Sequence, residues 1–149
     1  MAEALAPLRN LVQICRDGER FYREAANRIR DPTLRETAAE ARRTRGALGR
    51  EFAALLGVRG EEISAGTWNG TWRMQYVNLR ARWSRTGDRV YLAEFERVED
   101  RLLHAMERAT LHLPLEDLRA VLRRHMPSVR AAHERMRSLS IEPAAKPAG

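Results

Sequence analysis

The chain has 149 residues, one cysteine and no charge-free apolar run long enough to span a bilayer, which suits a single domain with a continuous core and excludes a membrane-spanning helix. Cys15 alone excludes an internal disulfide, no Cys/His spacing resembles a zinc site, and Glu3 and Arg9 stand where a signal peptide needs an apolar stretch, so a cytoplasmic protein is expected. The net charge of +7 is spread: every basic residue but Lys146 is arginine, mostly interleaved with Glu and Asp as on solvated helix faces, which argues against nucleic acid as the partner.

The first helix is expected from about Ala4 to Ile29, with a seam of Leu5, Leu8, Val12, Cys15, Glu19, Tyr22, Ala26 and Ile29. Glu19 interrupts this seam, and Gly18 beside it admits the close approach of a neighbouring backbone. Asp31 then caps a second helix that Pro32 opens, and Gly57 is its natural stop. The second seam reads Leu34, Ala38, Ala41, Arg45, Leu48, Phe52 and Leu55, with Arg45 as its polar member. The short link makes these two helices an antiparallel hairpin. Arg42, Arg43, Arg45 and Arg50 form the densest basic group in the chain, and Arg123 with Arg124 the next.

From Val58 to Gly87 the glycines Gly60, Gly66, Gly70 and Gly87 mark a long connection. Trp68, Trp72, Tyr76, Leu79 and Trp83 recur within it at helical spacing, which predicts a short amphipathic helix whose aromatic stripe serves packing. Asp88 can cap the third long helix, whose seam is Leu92, Phe95, Glu99, Leu102, Met106, Ala109 and Leu113. Pro114 separates it from the fourth, with Leu115, Leu118, Leu122, His125, Val129, Ala132, Met136 and Leu139 and with Pro127 inside the pattern, where it should kink the helix. A single domain over residues 1–140 is thus expected, followed by a tail, 141–149, with nothing to bury.

Four amphipathic helices, each interrupted once near its middle, predict an all-α four-helix bundle with one polar layer of Glu19, Arg45, Glu99 and His125. The long connection between helices 2 and 3 is free to cross the bundle. A bare carboxylate in such a layer costs several kcal/mol, roughly, and needs a proton, a cation or a metal. A heptad assignment does not fix exposure, so the shoulder of the seam is the competing place for Glu19 and Glu99, with Arg45 snorkelling and His125 a boundary residue. His133 lies one step off the seam and can join the site or the solvent, His104 and His112 fall on polar faces, and Cys15 reads as a small buried hydrophobe.

The run Cys15-Arg16-Asp17-Gly18-Glu19 with Tyr22 and Ala25-Ala26, then Glu96-Arg97-Val98-Glu99-Asp100, then His133, is similar to an uncharacterised bacterial family of small ferritin-like four-helix-bundle proteins. Di-iron members of that superfamily take one Glu from each of two helices and a Glu-x-x-His pair from each of the others. Glu19 and Glu99 match the single glutamates, but the paired motifs read Arg42-Arg43-Thr44-Arg45 and Leu122-Arg123-Arg124-His125. A guanidinium stands where a second metal would go, and it matches a carboxylate bidentately. The leading expectation is therefore a non-catalytic, stress-associated structural or interaction protein with no cofactor and a degenerate metal site. The alternatives are an iron- or manganese-binding protein or oxidase using Glu19, Glu99 and His125, with His133 and Cys15 as possible additions, and an Arg-rich nucleic-acid binder. Long amphipathic helices with an aromatic crossover also suit a homodimer.

Overall fold

A computed structural model of the chain describes residues 5–58, 79–112 and 115–141, which fold into five helices: α1 (Ala6–Arg28), α2 (Pro32–Val58), α3 (79–86), α4 (Arg89–His112) and α5 (Glu116–Ile141). Among the described residues there is no strand, and no helix is long and apolar enough to cross a membrane. Trp68, Trp72, Tyr76 and the segment 142–149 lie outside the described residues.

Local chemistry sets the helix ends. Asp31 caps α2, its carboxylate accepting the Leu34 amide at 2.9 Å, with Pro32 in the first turn where its missing N–H costs nothing. The expected stop at Gly57 is corrected. α2 runs through it to Val58, because Gly57 does not take the left-handed conformation that would end the helix. Gly87 does take it, with φ of 87°, and closes α3 by donating its amide to the Trp83 carbonyl at 2.8 Å. α5 contains Pro127 and continues past it to Ile141.

Asp88, expected to cap α4, faces elsewhere. Its carboxylate accepts the backbone amides of Arg30, at 3.1 and 3.2 Å, and Asp31, at 2.9 Å, together with the Trp83 indole N–H at 3.2 Å. It is the Asp88 carbonyl, not the side chain, that takes the Tyr91 amide at 3.0 Å.

Two apolar clusters fill the interior. One joins the N-terminal half of α1, the C-terminal halves of α2 and α4, and the N-terminal half of α5, through residues such as Leu11, Phe52, Leu102 and Leu118. The other joins the C-terminal half of α1 to the N-terminal half of α4, the Leu79 end of α3 and Met136 of α5, and is dominated by the rings of Phe21, Tyr22, Tyr91 and Phe95. Phe21 meets Tyr22 and Phe95 edge-on, with ring centres 5.2 and 5.9 Å apart. Each large side chain so buried contributes roughly 1.5–3 kcal/mol. Because the first cluster holds the end of α2 and the second the start of α4, these two helices run in the same direction, both antiparallel to α1.

Candidate functional site

A buried ionic constellation lies where the two clusters meet. Arg45 of α2 and Glu99 of α4 are 2% and 3% exposed, and Arg45 Nη2 stands 3.5 Å from Glu99 Oε1. The same oxygen accepts the Tyr22 hydroxyl at 2.6 Å. Arg45 also donates to backbone: Nη2 reaches the Val98 carbonyl at 2.8 Å and Nη1 the Ile14 carbonyl at 3.4 Å. Its guanidinium carbon also lies 5.9 Å from the centre of the Tyr22 ring. One arginine thereby ties α2 to α1 and α4.

Three glycines make the approach possible. A Cβ on Gly18 would sit 2.8 Å from Arg45 Nη1, one on Gly46 would sit 3.1 Å from Glu19 Oε1, and one on Gly49 would sit 3.1 Å from the Cys15 Cβ. Where the sequence predicts the approach of a neighbouring backbone to Gly18, the structure places the head of Arg45.

Electrostatics fix the protonation of Arg45, Tyr22 and Cys15. Burial works against the Arg45 charge, but the adjacent Glu99 carboxylate, with Tyr22 and Cys15, outweighs it and raises the guanidinium above its usual value. Burial, reinforced by Glu99, holds the Tyr22 phenol far above its ordinary range, so it remains a donor. Cys15, fully buried nearby, is pushed up to about 12, chiefly by desolvation. A thiol so held carries no thiolate at neutral pH and is no nucleophile.

The other two members of the expected layer sit at its margins. Glu19 is 30% exposed and faces Arg23 at 3.8 Å, on the outer side of the α1–α2 pair. His125 is 24% exposed, and its Nε2 pairs with Glu51 Oε2 at 2.5 Å, a carboxylate that Arg124 also reaches at 3.3 Å. Glu19, Glu99 and His125 thus each turn to a different partner. Among the described residues no three His, Cys, Asp or Glu side chains come together in a way that could hold a metal ion. His133 pairs with Asp100 at 3.3 Å, and His104, on the α4 surface, reaches the other oxygen of the same carboxylate at 3.3 Å.

A cavity of about 300 Å³ opens between α2 and α5, with Arg45, Glu99 and Leu102 among its lining residues and His125 at its wall. Polar contacts bridge the two helices at either end of it, the ion pairs of Glu40 with Arg135 at 3.4 Å and of Glu51 with Arg124, and the hydrogen bond between Glu51 and His125. Two participants escape a reading of the sequence. Tyr22 counts as apolar in a seam, although a buried tyrosine carries a hydroxyl that needs a partner. Glu51 lies on the flank of α2, and nothing in the periodicity singles it out.

A model of a family described as a domain of unknown function (DUF2383) matches residues 3–112, a span that contains Tyr22, Arg45 and Glu99 and ends before α5. Comparison with curated proteins and with solved structures gives no match.

Proposed function

The chain belongs to that family of unknown function, DUF2383, and on this premise we propose that it is a ferritin-like four-helix-bundle protein in which the Arg45 guanidinium takes the place of the mid-core metal centre. It serves as a non-catalytic structural or interaction protein. The observation that carries this reading is the buried contact of Arg45 with Glu99, completed by the Tyr22 hydroxyl. A permanently charged side chain delivers the positive charge that a bound metal would supply, and it does so at fixed geometry. The shared direction of α2 and α4, both antiparallel to α1, supports the ferritin-like arrangement.

An iron or manganese centre does not fit these residues. A cation placed against Glu99 would meet the guanidinium at close range, with no second carboxylate among the described residues grouped there to offset the repulsion. Elemental analysis of protein purified without chelator or affinity metal, before and after incubation with ferrous or manganous salt, tests the reading. Substoichiometric metal in both samples is expected. Near-stoichiometric metal that disappears in Glu99→Ala would overturn it in favour of a metal-binding protein.

A further inference from the structure

The densest basic group of the sequence divides in the structure. Arg45 turns into the core, while Arg42, Arg43 and Arg50 remain on the outside of α2 and, with Arg23 of α1, line a groove of about 550 Å³ along the outer crevice between the two helices. Small residues, Ala26, Ala39 and Gly46, keep this crevice concave. Bare backbone at Gly46 lets Glu19 and Arg50 lean across it, to within 3.1 and 3.3 Å of where a Cβ would stand.

The groove is electropositive. Four guanidinium groups and one carboxylate line it, an excess of three positive charges. Their ion pairs are solvent-facing: Glu19 stands 3.8 Å from Arg23, and Arg43 donates outward to Glu36 at 3.3 Å, with the Arg43 and Glu36 side chains mostly exposed. Exposed pairs of this kind hold a guanidinium weakly, whereas a phosphate takes it through two parallel hydrogen bonds.

Length and composition narrow the ligand. The attachment points of Arg43 and Arg50 lie seven residues apart, about 10 Å along a helix, so a row of phosphates can engage the arginines along the groove without their side chains converging on one point. The described lining residues include no aromatic ring, so the groove has no platform on which nucleic-acid bases could stack. We propose that the outer groove of the α1–α2 pair binds a small ligand carrying several phosphate groups in a row, such as a linear polyphosphate, and recognises it through the phosphates alone. The site is separate from the mid-core constellation and does not depend on how that constellation is read.

Titration calorimetry of the full chain with inorganic tripolyphosphate, at about 50 mM salt and again at about 200 mM, tests the assignment. Saturable binding that weakens with salt is expected. Arg42→Gln with Arg50→Gln should weaken it by about a hundredfold, roughly tenfold for each guanidinium–phosphate pair removed. Arg119→Gln with Arg123→Gln removes the same charge from exposed positions on α5 and should change the affinity less than about twofold. Far-UV circular dichroism confirms that both variants keep their helices. Absence of saturable heat would overturn the proposal, and so would an equal loss in the two variants, which would assign binding to net charge. A single-stranded oligonucleotide that outcompetes tripolyphosphate at equal phosphate concentration would overturn it in favour of nucleic acid.

Discussion

Replacing Arg45 with alanine strips Glu99 of the cation beside it while leaving its carboxylate almost sealed from water, with the Tyr22 hydroxyl as its remaining side-chain partner. Breaking a buried ion pair from one side costs about 3–5 kcal/mol. For a chain of this size each kcal/mol moves the melting temperature by about 2–4 °C, so a loss of about 10 °C is expected. Arg43→Ala removes a mostly exposed pair with Glu36 and should cost less than about 1 kcal/mol. Urea denaturation at pH 7, followed by far-UV circular dichroism, measures both. A third protein, combining Arg45→Met, Glu99→Leu and Tyr22→Phe, leaves no polar group stranded and should recover most of the loss. Equal urea midpoints for Arg45→Ala and Arg43→Ala would refute the buried pair. A triple variant as unstable as Arg45→Ala would show that loss of the polar contacts themselves, not stranded charge, sets the cost.

Gly18→Ala should lower stability by a net of about 1 kcal/mol: Arg45 is held by the Val98 and Ile14 carbonyls and cannot swing clear of a new methyl, and the overpacking exceeds the gain in helix propensity. Gly57→Ala, with nothing within 4 Å of the added carbon, should raise the urea midpoint by up to about 1 kcal/mol equivalent. Cys15 should resist iodoacetamide in the native protein and react fully in urea. Its thiol loses a proton near 9.0 when unfolded and near 12 when folded, so the folded state retains a proton that the unfolded chain releases. Stability should therefore fall as pH rises above about 9, by up to about 1.4 kcal/mol per pH unit from this group, and Cys15→Ala should flatten the fall. Asp17 is buried with its Oδ1 unpartnered, and desolvation raises its carboxyl against the pull of Arg20 and Arg101. Asp17→Asn should raise the urea midpoint at pH 7, with the gain fading in acid as the native carboxyl takes up its proton.

The long helices are legible in the sequence because each carries an apolar seam, and burial follows it: Val12, Cys15, Phe52, Phe95, Leu102, Leu122 and Met136 are all interior. The same periodicity locates Arg45 and Glu99, since an ionic residue in a seam must find its opposite. It cannot tell how far a seam position turns toward water. Glu19 and His125 occupy equivalent steps, yet each sits at a margin and pairs with a residue, Arg23 or Glu51, that the repeat assigns to the surface. Tyr22 is hidden for the converse reason, because its ring satisfies the apolar pattern while its hydroxyl holds the carboxylate. The role of Asp88 is out of reach, since its carboxylate reaches amides nearly sixty residues away and no local rule registers them.

That reach has a kinetic meaning. The α1–α2 hairpin can assemble from contacts made near in sequence, but the amides of Arg30 and Asp31 gain their acceptor only when residue 88 arrives from the other half of the chain. Closing so long a loop must be compensated by contacts formed at the same moment, and the Trp83 indole, bound to the same carboxylate, brings α3 into the event. The two halves therefore latch at one carboxylate. The exchange of two backbone protons in the first hairpin with solvent deuterium would time the docking of the second.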